Sequence, residues 1–145
     1  MTQLNSRRAS RLILADGQLR VLRLRHAGAN GESFWAPPGG GLKNGETFEQ
    51  AAKREAREEL GLTSLTLRRA WDRTTNFIYI DQPVRQHEWY FQVEGQLPAS
   101  SPTVAKVHKR EGILEVRWWT IPEIESTTET VFPENLPSAL RSLAN

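Results

Sequence analysis

One stretch of the chain leaves little freedom in what it can become. Thr47 suits a helix N-cap, Gln50 stands three residues on to close a capping box, and Gly61 sits where a left-handed C-cap is wanted. Phe48 to Leu60 therefore reads as a helix. Turned at about 100° per residue, Phe48, Ala51, Ala52 and Ala56 mark its inward side, and Glu55, Glu58 and Glu59 fall among them. Lys53, Arg57 and Gln50 take the opposite face. Ordinary solubilising glutamates belong with those residues, because a buried carboxylate without a partner is costly and like charges one turn apart oppose each other's ionisation. The arrangement asks for a cation. Arg54, one turn before Glu58, supplies one positive charge against three acids. The remainder suits Mg²⁺ or Mn²⁺, hard ions that take oxygen ligands. Such an ion beside a carboxylate that takes a proton is a standard means of driving water onto phosphorus. The plainer alternative, acids facing solvent in i,i+4 pairs, stays open on the helix alone.

The flanks place this helix in a mixed domain. Ala9 to Leu14 and Leu19 to Leu24 read as strands joined by a turn at Asp16-Gly17. Phe34-Trp35 is a short strand stopped by Pro37-Pro38-Gly39-Gly40-Gly41, a run unable to continue a regular element. Further strands are expected at Leu65 to Trp71, Asn76 to Ile80, Glu88 to Val93 and Ile113 to Thr120. Gly95 to Glu111 reads as a polar loop. The tail from Pro133, with Leu136, Ala139, Leu140 and Leu143 at helical spacing, predicts a last short helix. Strands around one strong helix imply an α/β fold, with helices covering a sheet.

At 145 residues the chain suits one domain, expected over 1–145. No apolar run is long enough to span a bilayer, so no membrane partner is expected, and a cytoplasmic location is the default. With no cysteine, disulfides and thiolate metal sites are excluded. His26, His87 and His108 show no zinc-ligand spacing. The glycine run is not followed by the Gly-Lys-Ser/Thr of a phosphate-binding P-loop. A net charge of +2 argues against DNA as a partner, while the arginine clusters suit a phosphorylated small molecule. Arg23 and Arg25 are candidates to touch phosphate, although surface arginine is the plainer reading. Phe77 and Tyr79 are the better candidates to contact a base among aromatics that mostly pack sheets. A homodimer stays open.

From Gly40 to Leu62 the chain fits, at every fixed position, the pattern G-x5-E-x7-R-E-U-x-E-E-x-G-U, with Ala56 and Leu62 in the apolar slots U. That pattern resembles the signature of the Nudix hydrolases. Trp35-Ala36-Pro37-Pro38-Gly39 and Glu115-Val116-Arg117-Trp118-Trp119 also look like the family's flanking strands. The resemblance implies an α/β/α sandwich with a mixed β-sheet and a loop-helix-loop catalytic motif. It implies metal-dependent hydrolysis of a nucleoside diphosphate linked to another moiety, with Mg²⁺ or Mn²⁺ as cofactor and a nucleotide as substrate. Carried over, Glu58 and Glu59 resemble the principal metal ligands and Glu55 a further one. The Gly39 carbonyl is another candidate ligand. Arg54 resembles the residue that orients a glutamate, and Glu46 a first glutamate of secondary role. Lys43 departs from the pattern, since many members carry a glutamate there. A base or ligand from outside the signature is also expected, with Glu111 favoured over Glu115 because of its loop position. Two other readings stay open: a nucleotide-sensing or protein-binding module that does not hydrolyse, and a pyrophosphohydrolase of RNA 5′ ends.

Overall fold

The computed structural model describes residues 5–15, 20–28, 31–79, 81–95 and 102–133. In chain order the elements are β1 (Asn5–Leu14), β2 (Arg20–Ala27), β3 (Ser33–Ala36), β4 (Gly39–Gly41), α1 (Phe48–Leu60), β5 (Thr66–Tyr79), β6 (Gln82–Glu94), α2 (Pro102–Glu111), β7 (Ile113–Thr120) and α3 (Ile121–Ser126). Two sheets form, ordered β4-β1-β6-β5 and β3-β2-β7. The first is mixed: β1 runs parallel to β6 and antiparallel to β4, while β5 and β6 are antiparallel.

Strand alternation sends side chains to two cores, as a sheet covered on both faces requires. On one face Leu12, Leu14, Leu22, Leu24, Phe91 and Val93 pack beneath Ala52, Ala56 and Leu60 of α1. On the other, Ile13, Val21, Tyr90, Trp35 and Trp119 gather with Ile124 of α3. The result is an α/β/α sandwich. α1 has the expected bounds and caps: Thr47 and Gln50 close the box, and Gly61 turns left-handed at φ 72°.

Elsewhere the expectations need correction. β1 and β2 are not a simple hairpin, because they enter different sheets and meet in an isolated bridge, Ala15 to Val21. The Asp16-Gly17 turn lies outside the described residues. Gly39 to Gly41 forms a short strand after all, pairing Arg11, Ser10 and Ala9. Glycine weakens a strand without forbidding one, and here β1 supplies a full row of backbone partners. The two strands expected on either side of residues 72–75 are one, β5, paired along its length with β6. Its polar middle misled because Arg73 and Thr75 line a cavity.

The loop expected over Gly95 to Glu111 instead contains α2, whose Val107 is buried. One buried apolar residue among lysines and arginines gives a faint helical period. α3 was not anticipated, although Thr120 and Glu123 spell a second capping box around Pro122. The expected last helix, with Leu136, Ala139, Leu140 and Leu143, lies outside the described residues.

Candidate active site

The site begins with what holds α1 to the first sheet. Ser10 Oγ donates to Phe48 O at 2.7 Å, fixing the helix start on β1. β4 then lies pinched between β1 and the helix, and only glycine permits it. At Gly39, φ is +139° and an added Cβ would lie 2.1 Å from Ser10 O; at Gly40 it would lie 2.7 Å from Glu55 Oε1. The acids thus rest against bare backbone. Gly39 N–H donates to Glu59 Oε1 at 2.7 Å. From the far side, a ring nitrogen of His108 lies 2.6 Å from Glu59 O, clamping α2 to α1. That contact delivers Glu111, the last residue of α2. Carboxylate oxygens of Glu55, Glu59 and Glu111 all lie within 4.8 Å of one another.

Arg54 organises the other side of the cluster. Its Nε and Nη2 bind both Glu46 oxygens at 2.7 and 3.0 Å. Nη1 reaches Glu55 Oε1 at 2.8 Å and Glu58 Oε2 at 3.3 Å, while Nη2 also donates to Gly41 O at 3.0 Å. These hydrogen bonds hold the Glu46 carboxyl down at about 2 and raise the Arg54 guanidinium further. The trio behaves oppositely. Burial pushes Glu55 up, against the pull of Arg54, with Glu111 and Glu58 adding to the rise. Glu59, 1% exposed, is driven well above the usual carboxylate range by burial and then by Glu55, despite its bond from Gly39. One guanidinium is shared among Glu46, Glu55 and Glu58, Glu111 meets only the exposed Arg110 at 3.9 Å, and Glu59 has no ion pair among the described residues. A donor set made only of carboxylate oxygens, packed this closely and short of positive charge, fits a hard divalent cation.

The other expected site residues fall in several places. Glu58 lies aside from the trio, with Oε2 on Arg54 and Oε1 3.9 Å from Lys43 Nζ. Gly39 meets the cluster through its N–H. Glu115 lies on β7 and pairs with Arg25 at 3.1 Å. Arg25 Cζ also lies 5.9 Å from the centre of the Trp35 ring. Arg23, whose plainer reading was a surface arginine, is fully buried. Its strand face turns into the second core, where Nη2 lies 3.4 Å from Trp35 O, while Nε and Nη1 find no partner among the described residues. Burial lowers its guanidinium to about 10. The side chain of Tyr79 lies outside the described residues.

Phe77 lines a cavity of about 510 Å³ on the sheet face opposite α1. Arg11, Phe34, Arg73, Glu88 and Tyr90 line it too, and composition gave no reason to single them out. The signal was register: Arg11 pairs Tyr90, and Arg73 pairs Glu88, so alternate residues of three strands share one face. Pro37, also in the wall, is two residues from the glycine that holds Glu59.

Fold and site together define an α/β sandwich that presents a carboxylate cluster on a capped helix beside a glycine strand and an aromatic cavity. The NUDIX domain model matches residues 5–139, and the chain belongs to that family. It is similar to an RNA pyrophosphohydrolase of Teredinibacter turnerae, 51% identical over 51 residues that cover 35% of this chain and 29% of that protein. It is also similar to an isopentenyl-diphosphate Delta-isomerase of Photobacterium profundum, 28% identical over 109 residues, 71% of this chain and 57% of that protein. The matches thus span less than two thirds of either relative. Among solved structures, the NUDIX domain of Shewanella oneidensis NrtR, complexed with ADP ribose, superposes with a TM-score of 0.68 at 14% identity, covering 100% of this chain and 91% of that one.

Proposed function

We propose that the protein is a divalent-metal-dependent pyrophosphohydrolase that cleaves a phosphoanhydride linkage in a nucleotide or nucleotide derivative. The observation that carries the reading is the trio Glu55, Glu59 and Glu111, within 4.8 Å of one another and short of positive charge. Those carboxylates would hold Mg²⁺ or Mn²⁺, with the Gly39 N–H orienting Glu59. When bound, such an ion supplies positive charge against the phosphate oxygens and acidifies water.

The chain's own residues do the rest. Glu58, with Oε2 on Arg54 and only Lys43 at 3.9 Å from Oε1, takes a proton as a water oxygen attacks phosphorus. The P–O bond on the far side breaks, and the leaving phosphate departs as its anion. Arg54 fixes Glu58, Glu55 and Glu46 in one geometry and ties them to Gly41 O. The cavity bearing Phe77 and Tyr90 receives the nucleoside, and Arg11 lines it.

The test is a panel of nucleoside triphosphates, nucleotide sugars, ADP-ribose, dinucleoside polyphosphates and 5′-triphosphorylated RNA with Mg²⁺, scored for released phosphate or pyrophosphate. Glu58→Gln should cut the observed turnover by about 100-fold or more while leaving the circular dichroism spectrum unchanged. Silence across the panel, without a metal-dependent thermal shift, would favour a non-hydrolytic sensor. The RNA arm has its own support in the 51%-identical match to an RNA pyrophosphohydrolase.

A further inference from the structure

The glycine strand has two sides. The Gly39 N–H and the open face of Gly40 meet the carboxylates, whereas Gly41, one residue on, borders a second concavity of about 470 Å³ lined by Arg7, Arg8, Gly41, Lys43, Asn44 and Gly45. No acid lines it. Arg7 makes no ion pair with any described residue. It lies against the strand so closely that a Cβ on Gly41 would come 3.1 Å from its Nη2. Arg8 Cζ lies 6.0 Å from the centre of the Phe48 ring, a contact that leaves its charge uncancelled. Lys43 Nζ, on a side chain 67% exposed, pairs among the described residues with Glu58 alone, at 3.9 Å. Three like charges gathered in a concavity, with only the long Lys43–Glu58 contact to offset them, make an anion site, provided something anionic visits.

We propose that this basic concavity binds the distal phosphates of a substrate whose phosphate chain runs beyond the linkage being cut, so that the preferred substrate ends in at least three phosphoryl groups. The inference rests on the pyrophosphohydrolase reading and narrows it. Gly39 to Gly41 spans about 7 Å of strand, so a chain gripped at the carboxylates reaches the arginines directly. Arg54 marks the boundary between the two sites, since its guanidinium holds Glu55 on one side and Gly41 O on the other. A nucleotide sugar or ADP-ribose would present a neutral ring to Arg7 and Lys43 and leave both cations unanswered. A triphosphate end answers them. Lys43, in the slot where many family members carry a glutamate, is then a specificity-determining residue.

Two measurements test this, and the first needs no turnover. Metal-free protein, dialysed without chelator, is titrated with inorganic tripolyphosphate in a calorimeter. Wild type should bind, more weakly as salt is raised. The Arg7→Gln/Lys43→Gln double variant should lose about tenfold in affinity or more. No binding by wild type, or equal binding by both proteins, overturns the proposal whether or not the protein hydrolyses anything. If tripolyphosphate binds as expected but the substrate panel stays silent, the subsite survives and the hydrolase reading fails.

The second measurement compares kcat/KM on a free nucleoside triphosphate, a 5′-triphosphorylated RNA oligomer and ADP-ribose. The double variant should raise KM for the triphosphate substrates and lower their preference over ADP-ribose by about tenfold, and Arg7→Lys should keep most of that preference. Which triphosphate arm wild type prefers identifies the source. An equal loss on ADP-ribose, or a fall confined to kcat, overturns the proposal. Both side chains are exposed, so unchanged circular dichroism and melting temperature are expected of every variant.

Discussion

Of the three glutamates buried among the described residues, Glu59 and Glu88 lie on opposite faces of the first sheet, and the chain treats them differently. Glu88, 6% exposed on β6, is met by arginines: Arg11 Nε lies 3.0 Å from Oε2 and Arg73 Nε 3.7 Å from Oε1. Glu59, 1% exposed on α1, receives one backbone N–H and otherwise faces Glu55 and Glu111. Desolvating a charge is tolerable when the fold supplies the counterion and costly when it does not. Glu88 is therefore a finished interaction. Glu59 has no such counterion among the described residues, and on the proposed reading a partner from solution completes it; this contrast, more than burial itself, sets the two apart.

The sharpest way to break the comparison is to remove each charge in turn while keeping its shape. Glu59→Gln retains an oxygen for Gly39 N–H but loses the charge. Metal-free, it should be more stable than wild type, each kcal/mol gained raising Tm by roughly 3–5 °C in a chain this size. Its turnover should fall by about 100-fold or more. Glu88→Gln should behave in reverse, losing about 1–3 kcal/mol because two arginines are left facing a neutral amide with some access to water. Differential scanning calorimetry of both variants without metal checks the signs. If both lose stability, Glu59 is an ordinary structural residue.

The same contrast explains what could be read from the sequence. The acidic half of the site was legible because a helix has a fixed period and strong punctuation: Thr47, Gln50 and Gly61 set the phase, and three glutamates in the wrong arc became visible. Glu111 was legible only as a guess. Its place beside Glu55 and Glu59 depends on α2 packing through Val107 and His108, and that helix carries too little apolar signal to be phased. The cavity was almost wholly illegible. Arg11, Arg73 and Glu88 meet through strand register between segments far apart in the chain, and alternation within one strand does not say which strand lies alongside. Arg23 misled for a related reason: an arginine between leucines looks like a strand edge until a second layer covers it.

Metal and pH sharpen the comparison further. A divalent ion binds carboxylates in their ionised form, and burial has pushed Glu55 and Glu59 up, so ion and protons compete. Metal affinity should therefore rise with pH above the ordinary carboxylate range, and calorimetry in buffers of different ionisation enthalpy should record protons released on binding. The stability sign follows. A carboxyl whose folded pKa is raised stabilises the fold when protonated and loses that contribution as pH climbs through its folded value. The metal-free protein should weaken accordingly, and saturating Mg²⁺ should restore about 2–3 kcal/mol at a hundredfold excess over Kd. Replacing Glu88 should leave the pH dependence of metal binding in place, since that carboxylate faces the other side of the sheet.

The smallest expected effect concerns the acid that the chain does neutralise within the signature. Glu46 is held by both arms of Arg54 at 2.7 and 3.0 Å, and its pKa falls to about 2. A depressed carboxylate contributes stability above its unfolded pKa, near 4.5, and loses it as pH drops toward the folded value. Side-chain exposure of 17% lets water screen the pair, which holds the contribution to about 1 kcal/mol. Urea melts from pH 6 to pH 2.5 should show Glu46→Gln closing on wild type as the acid range is entered, because wild type alone has that charge to lose. At neutral pH the variant should also lower kcat more than it lowers metal affinity, since Arg54 would then be free to shift toward Glu55 and Glu58. Equal acid sensitivity in the two proteins would mean that Arg54 holds Glu46 by shape alone, and that its charge is already spent on the cluster.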